Sequence, residues 1–337
     1  MLNRRQILGA SLAAPALLQF GPAAAAQTLK ISHQFPGGTI DSGDFRDRAC
    51  RIFARELEKR TNGALNAQIF PDSSLMKTIP QFSALRKGAL DISLYPLSYA
   101  GGEVVETNIG LMPCMVSSYE QGAAWKKAPI GAALTKLMAE KGIVIVSWVW
   151  QAGGIASRQK PLVTPEDAKG MKVRGGSREF DMMLASAGAA TLNIPSNESY
   201  AAMQTGACDA VITSSTSLIS FRIEEIAKQL TSGRGKSMWF MFEPLLISKD
   251  IFDKLTKEQR DVIMAIGEEL EAFSMKGAKD DDIAIEGVFQ KAGAKVTPMD
   301  DAALAKWRPL AEETAWKDFG GRNASCAEFL KLAKAVA

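Results

Sequence analysis

The chain has 337 residues, of which 47% are hydrophobic and 23% are charged. This composition is typical of a globular protein, and the length leaves room for two domains. With 40 basic and 37 acidic residues the formal net charge is only +3, and no basic stretch is interleaved with aromatic residues. These features exclude a typical nucleic-acid-binding protein.

The first 26 residues have the pattern of an export signal. They begin with the basic pair Arg4-Arg5, continue as a mostly apolar stretch from Gln6 to Leu18, and end in small residues at Ala26. Because the apolar stretch is too short to span a bilayer, we expect a signal peptide that is removed after Ala26 and not a membrane anchor. The paired arginines leave two routes open, twin-arginine export and ordinary secretion. Either route leads to the periplasm.

Residue types that carry most catalytic and metal chemistry are scarce. His33 is the single histidine, and no G-x-S-x-G or H-E-x-x-H motif is present, so a triad or a histidine metal site is hard to build. The carboxylate run at residues 280–282 is most simply a solvated helix face. We expect no catalytic residue, no metal and no cofactor. The four cysteines show no metal-type spacing and are expected to be mostly buried as small apolar residues, with one bridged pair left open; they are Cys50, Cys114, Cys208 and Cys326.

The first half of the chain alternates predicted strands and helices, which favours a mostly parallel sheet. The predicted strands are Leu29–His33, Leu65–Phe70 and Ala89–Leu94, and the predicted helices are Asp44–Arg60 and Pro80–Lys87. A further helix is predicted over residues 118–141. The apolar run from Ile143 to Trp150 then predicts one strand buried on both faces. The segment Gln151–Gly154 after it is either a hinge between two lobes or a plain tight turn.

Two predicted strands of the second half end in polar residues. The strand from Met171 ends at Arg174, and the strand from Ala210 leads into a loop of hydroxyl residues, Thr213–Ser217. Ligands bind outside the carboxyl ends of strands in open α/β sheets. A guanidinium binds a carboxylate through two parallel hydrogen bonds, which makes Arg174 the first candidate for ligand contact. The residues alone leave open that it pairs instead with Asp181 or Glu179.

The last third of the chain predicts a strand and a long helix. Residues 238–248 form a strand that returns the chain to the first lobe. Thr256 followed by Gln259 is a capping-box pattern, and apolar residues at helical spacing continue from Ile263 to Phe289. A helix of this length, straight or kinked, is expected to span both lobes. Pro309 interrupts the C-terminal helical region.

Several of these segments resemble the solute-binding proteins of tripartite ATP-independent periplasmic (TRAP) transporters, of the dicarboxylate-binding type. The resemblance is carried by the segment Thr164–Arg174, the pattern Glu198-x-Tyr200-x-Ala202-x-Gln204-x-Gly206 with Asp209, and the earlier motifs His33–Pro36, Thr61-x-Gly63 and Phe70-Pro71. It implies an α/β fold with two lobes, a ligand cleft between them and a long helix that bridges both. Lobe I would comprise residues 27–151 and about 240–280, and lobe II about 152–239 and 281–337.

The resemblance also implies the positions of the ligand-binding residues. Arg174 matches the family's principal ligand anchor, and Thr213, followed by Ser214, falls where the family commonly has an asparagine. Gln34 matches a position that supplies a polar side chain, and Gln151 lies at the predicted hinge. Four aromatic residues are candidate walls: Phe35, Tyr99, Trp150 and Trp239.

The expected pocket carries less charge than those of many relatives. The second arginine that many members carry some twenty residues before the anchor would fall near Gly154. Pro96 and Tyr99 stand where sugar-acid binders carry charges. We therefore expect a monocarboxylate with an apolar or aromatic body.

The sequence thus predicts a periplasmic solute-binding protein that captures an organic acid and delivers it to the membrane permease subunits of a TRAP transporter. It is expected to act as a monomer, without inserting into the membrane. Two alternatives remain, a periplasmic ligand sensor for a receptor and a secreted α/β hydrolase or lyase.

Overall fold

The computed structural model describes residues 26–234 and 237–336. The predicted signal peptide therefore lies, except for Ala26, outside the described residues. Within them the strands, in chain order, are β1 (Gln27–Ser32), β2 (Leu65–Phe70), β3 (Ile92–Leu94), β4 (Ile143–Ser147), β5 (Trp150–Ser157), β6 (Lys172–Arg174), β7 (Ala190–Thr191), β8 (Ala210–Ser214), β9 (Gln229–Ser232), β10 (Phe240–Phe242), β11 (Leu245–Ser248) and β12 (Lys295–Pro298).

The helices are α1 (Phe45–Arg60), α2 (Gln81–Arg86), α3 (Tyr119–Trp125), α4 (Pro129–Glu140), α5 (Arg178–Ser186), α6 (Ser199–Thr205), α7 (Ser215–Ser220), α8 (Lys249–Lys254), α9 (Lys257–Lys291), α10 (Asp301–Ala311), α11 (Lys317–Arg322) and α12 (Ala324–Lys334). Short 3-10 helices cover Leu97–Gly102, Val105–Leu111, Pro165–Ala168, Ser196–Glu198 and Ile223–Glu225, and a π-helical turn covers Glu312–Trp316. None of these helices combines the length and apolarity that crossing a bilayer requires.

The strands form two separate sheets, and the layers packed around them are called lobe I and lobe II below. The sheet of lobe I has the order β2-β1-β3-β11-β4, and that of lobe II has the order β12-β9-β5-β8-β6-β7 with β10 added on β5. In lobe I the first three strands are parallel, but β11 is antiparallel to both of its neighbours. The expected parallel pairing therefore holds for β1, β2 and β3. With β11 included the sheet of lobe I is mixed, and the sheet of lobe II is mixed as well.

The chain passes between the sheets at breaks in two apolar runs. The run from Ile143 to Trp150, predicted as one strand, is β4 in lobe I and the start of β5 in lobe II, with Trp148 and Val149 between them. The run at residues 238–248 is likewise divided into β10 and β11. Pro244 stands at that break, where a residue without an N–H cannot extend a ladder. The two crossing segments lie side by side, because Trp150 pairs with Phe242.

Gly153 and Gly154 lie inside β5, so the tight turn, the second of the two alternatives for this segment, is not formed. A Cβ on Gly153 would lie 2.4 Å from the carbonyl oxygen of Thr213 and 2.5 Å from the Trp239 ring. A Cβ on Gly154 would lie 2.9 Å from the carbonyl oxygen of Thr231. The glycines therefore allow close approach of neighbouring backbone and of Trp239. A hinge role for this segment stays a prediction.

Helix α9 confirms the predicted long helix that bridges both lobes. It has 35 residues and begins with the Thr256–Gln259 capping box, so it is about 52 Å long. It packs on α1 and β4 of lobe I and on α7, β5, β9 and β12 of lobe II. The lobe boundaries in sequence stay a prediction, and α12 packs against α4 of lobe I whereas α10 packs against α5.

Other expectations need correction. The helix predicted over residues 118–141 is two helices, because the chain turns before Pro129, which takes the first position of α4. The carboxylate run at 280–282 is not wholly solvated, since Asp282 is buried and accepts a hydrogen bond from Tyr119. Pro309 lies within α10, where the helix continues into a π-helical turn. All four cysteines are buried, as expected.

Candidate ligand site between the lobes

Arg174 is buried at the carboxyl end of β6, beside Val211 of β8. Its Nε donates to the carbonyl oxygen of Ile194 at 3.0 Å, Nη1 to that of Ile212 at 2.9 Å, and Nη2 to the hydroxyl of Tyr99 at 2.7 Å. A guanidinium has five N–H groups. One N–H on each terminal nitrogen therefore finds no acceptor among the described residues.

Neither carboxylate considered as a structural partner forms an ion pair with Arg174. Glu179 instead accepts a hydrogen bond from Asn108 at 2.9 Å and pairs with Arg322 at 2.8 Å. Burial raises the pKa of Asp181 to about 7, although the positive charge of Arg174 acts in the opposite direction. Arg174 is thus a buried cation that forms no ion pair with a carboxylate of the described residues. Such a charge is costly unless a partner compensates it.

Three predicted site residues lie near Arg174, and one of them, Tyr99, contacts its guanidinium. Tyr99, in the 3-10 helix Leu97–Gly102 of lobe I, also accepts a hydrogen bond from the backbone N–H of Ser196 at 3.0 Å. Gln34 donates to the Ser196 hydroxyl at 3.2 Å. Trp239 donates from its indole to the carbonyl oxygen of Gly175 at 3.2 Å. The structure therefore brings Arg174, Tyr99, Gln34 and Trp239 together where the two lobes meet.

The hydroxyl residues after β8 are placed differently from the expected loop. Thr213 and Ser214 are buried in β8 itself, opposite Gly154 and Gly153. The Ser214 hydroxyl accepts a hydrogen bond from the backbone N–H of Ser217 at 3.1 Å and so caps the N-terminus of α7. The loop prediction is wrong because a helix, α7, begins directly after β8. Serine is a favoured N-cap residue, since its hydroxyl accepts a hydrogen bond from a backbone N–H of the first helical turn.

Two further predicted site residues, Gln151 and Phe35, lie around a second centre, whereas Trp150 lies outside it. Gln151 donates from its side-chain amide to the Glu243 carboxylate. The Phe35 ring lies under the guanidinium of Arg46, whose central carbon is 3.7 Å from the ring centroid. Trp150 packs in an aromatic cluster with Trp125 at 5.1 Å and Phe242 at 5.2 Å between ring centroids, so it is positioned as a core side chain.

Arg46, at the centre of this second cluster, was missed by sequence reasoning. It is fully buried and forms a two-pronged pair with Asp44, with Nε–Oδ1 at 2.9 Å and Nη2–Oδ2 at 2.7 Å. Its Nη1 lies 3.4 Å from the Glu243 carboxylate. One signal was available: Arg46 lies in the first turn of α1, where the helix dipole disfavours a cation. A cation at this unfavourable position indicates that other interactions, such as ion pairs, hold it there.

Glu243 lies between β10 and β11 and has no exposed surface. Burial raises its pKa to about 7, and the Asp44 carboxylate adds to that effect, whereas the Arg46 guanidinium opposes it. Its Oε1, like Oε1 of Gln151, has no hydrogen-bond partner among the described residues. The cluster of Arg46, Asp44 and Glu243 is therefore electrically neutral when Glu243 is protonated.

Hydrogen bonds join the lobes at this site: Arg174 of lobe II donates to Tyr99 of lobe I, and Gln34 of lobe I donates to Ser196 of lobe II. This arrangement, with the lobes in contact, is called closed below. A cavity of about 10 Å³ lies beside Trp239 and Gly153. A groove of about 540 Å³ lies elsewhere in lobe II, at the end of β6 opposite to Arg174, and its lining includes Arg158, Lys169 and Asp209. No group of three or more side chains that could hold a metal ion is assembled within residues 26–234 and 237–336.

Comparison with known proteins defines the class of this two-lobe fold. The family model described as bacterial extracellular solute-binding protein, family 7 (DctP) matches residues 39–320. The chain belongs to that family. It is therefore a TRAP-type periplasmic solute-binding protein, and since the family is one of receptors, the prediction that it is not an enzyme is confirmed.

Particular relatives are similar over nearly the whole chain. A solute-binding protein of Albidiferax ferrireducens is 61% identical over 99% of both chains. A crystal structure of a TRAP periplasmic solute-binding protein from Rhodoferax ferrireducens with bound malonate is 63% identical, covers 91% of this chain and 98% of its own, and has a TM-score of 0.90. The C4-dicarboxylate-binding periplasmic protein DctP of Rhodobacter capsulatus is 26% identical, over 94% of this chain and 92% of its own length.

Proposed function

We propose that the protein captures a carboxylate-bearing solute between its lobes in the periplasm and delivers it to the membrane subunits of a TRAP transporter. The observation that carries this proposal is Arg174, a buried guanidinium at the lobe junction that forms no ion pair with a carboxylate of the described residues. A ligand carboxylate would supply that ion pair and accept the two remaining N–H groups. Family membership supports delivery to a TRAP permease.

The body of the ligand is a finer question. Two aromatic side chains, Tyr99 and Trp239, lie beside Arg174. Gly154 stands near the position where many family members carry a second arginine, so the pocket has one positive charge fewer. Both features support the predicted monocarboxylate with an apolar or aromatic body. The second candidate is a small dicarboxylate, because the relative from Rhodoferax ferrireducens was solved with malonate. Calorimetric titration with malonate and with monocarboxylates of rising apolar size separates the two. Tight binding of malonate alone would contradict the monocarboxylate proposal.

Arg174→Ala is expected to weaken binding of the best ligand of that panel by about 100-fold, since a charge-assisted pair worth about 3 kcal/mol is lost. Arg174→Lys should recover part of the affinity, because it keeps the charge without the planar fork. Arg158→Ala, in the outer groove of the same lobe, is the matched control and should bind like wild type. Unchanged affinity in Arg174→Ala, with an intact circular dichroism spectrum, contradicts the assignment.

The export route can be tested separately. We propose that residues 1–26 are removed on export, so the mature protein should begin at Gln27 in an intact-mass measurement of periplasmic material. Export that continues in cells lacking the twin-arginine translocase would assign the signal to ordinary secretion.

A further inference from the structure

The two buried arginines at the lobe junction differ in their partners. Arg174 forms no ion pair with a described carboxylate, whereas Arg46 has Asp44 at 2.7 Å and Glu243 at 3.4 Å. The Phe35 ring covers one face of Arg46. The charge of Arg46 is thus compensated within the protein. A ligand is needed to complete the surroundings of Arg174 but not those of Arg46.

Arg46 contacts three separate parts of the molecule. With Asp44 it belongs to the start of α1, in lobe I. Its Nη1 donates to the hydroxyl of Ser217 at 3.0 Å, and its Nη2 lies 3.4 Å from the hydroxyl of Ser220, both on α7 of lobe II. Glu243 belongs to the segment between β10 and β11, where the chain crosses between lobes. One guanidinium therefore joins lobe I, lobe II and a crossover segment.

Lobe opening would affect the contacts of Arg46 differently. The two-pronged pair with Asp44 lies within one turn of chain and persists if the lobes separate. The bonds to Ser217 and Ser220 exist only while α7 lies against the start of α1. Opening would replace them by water and would hydrate the guanidinium. The serine bonds therefore stabilise the closed arrangement selectively, and only such differential contacts shift a conformational equilibrium.

We propose that Arg46 is a positioning residue for closure, which holds the two lobes together around the solute without contacting it. This role rests on the proposed function, because closure matters only if a solute is captured. The bonds to Ser217 and Ser220 favour the closed state, and Asp44 and Glu243 hold the guanidinium in place for them. Arg174 then determines which solutes bind, and Arg46 determines how firmly the lobes close on any of them.

The test measures the distance between the lobes directly. Exposed Lys87 in lobe I and Gln204 in lobe II are replaced by cysteine (Lys87→Cys, Gln204→Cys) and spin-labelled, and pulsed electron paramagnetic resonance records the distance distribution without ligand and with saturating malonate. Arg46→Gln should reduce the closed population in both conditions. By linkage it should also raise the malonate dissociation constant, on the order of 10- to 100-fold.

Ser217→Ala removes one lobe II hydrogen-bond partner of Arg46. The Arg46 guanidinium stays in place beside Asp44 and Glu243, so this variant tests the proposal even if Arg46→Gln fails to fold. It should reduce the closed population in the same direction, by a smaller amount. The matched control is Arg51→Gln, on the same helix, whose ion pair with Asp47 at 2.6 Å stays within lobe I. It should leave the distance distribution unchanged.

The outcomes separate this proposal from the proposed function. Arg174→Ala should raise the malonate concentration needed for closure by about 100-fold. Because this variant also loses the cross-lobe bond to Tyr99, the ligand-free distribution that tests the closure role is that of Ser217→Ala and Arg46→Gln. If Ser217→Ala and Arg46→Gln both give wild-type distributions in both conditions, the closure role of Arg46 is overturned. If wild type closes on no carboxylate while Arg46→Gln still opens the ligand-free protein, the proposed function fails and the closure role stands.

Discussion

A buried carboxyl group that titrates near neutrality lies at the junction of the lobes. Glu243 has a pKa of about 7 in the folded protein, against an ordinary value of 4.5. Between those two pH values the folded protein holds a proton that the unfolded chain has released. Raising the pH through this window therefore lowers the free energy of unfolding.

We expect Glu243→Gln to make stability less dependent on pH between about 4.5 and 7. Glutamine cannot ionise, so the contribution of this group, at most about 1.4 kcal/mol per pH unit, disappears. Denaturant unfolding at a series of pH values measures the slope. The background slope of other buried carboxyls, notably Asp181 with a pKa of about 7 and Asp282 with about 6, should remain. A variant with the wild-type slope contradicts the assignment.

At the residue scale the sequence revealed one arginine and not the other. Arg174 follows a strand and is matched by a family motif, so it could be predicted as a contact residue. Arg46 lies inside an ordinary amphipathic helix pattern, and its partners Ser217 and Glu243 are more than 150 residues away. Long-range partners of this kind leave no local pattern.

At the scale of single elements, glycines decide how closely α9 packs. A Cβ on Gly267 would lie 2.0 Å from the carbonyl oxygen of Val146 in β4, and one on Gly277 would lie 2.7 Å from Phe45 in α1. A Cβ on Gly287, in the same helix, would meet nothing within 4 Å. Two helix glycines therefore serve packing, and the third does not.

We expect Gly267→Ala and Gly287→Ala to change stability in opposite directions. Gly267→Ala forces α9 away from β4 and should destabilise by about 2 kcal/mol. Gly287→Ala should stabilise by up to about 1 kcal/mol, because alanine is the better helix former. Chemical denaturation of both variants provides the comparison. Equal shifts of the same sign would mean that the close contact at Gly267 is relieved at no cost.

The boundaries of helices and strands could be predicted where local sequence signals, such as a capping box or a proline, mark them. β2 has the predicted limits Leu65–Phe70, and α9 starts at its predicted capping box. The prediction of one strand from Ile143 to Trp150 was wrong. An apolar run has the same sequence pattern whether the chain continues in one sheet or passes into another. That passage is set by pairing with β10 and β11, which lie about 90 to 105 residues further along the chain.

At the scale of the whole molecule, neither lobe is a continuous piece of chain. β11 inserts into the sheet of lobe I after the chain has built most of lobe II, and α9 packs on both lobes. We therefore expect one cooperative unfolding transition. Far-ultraviolet circular dichroism, tryptophan fluorescence and calorimetry should give the same midpoint. Two resolved transitions would show that the lobes unfold independently.

The central place of β11 also has a consequence for biosynthesis. β3 and β4 flank it on either side, so until residues Leu245–Ser248 have left the ribosome both strands keep an unpaired edge. Exposed strand edges invite association with other chains. Lobe I, although its first strand begins at Gln27, can be finished only when about three quarters of the polypeptide has been made. A nascent chain that ends before Ser248 therefore has no completed lobe and keeps the facing edges of β3 and β4 unpaired.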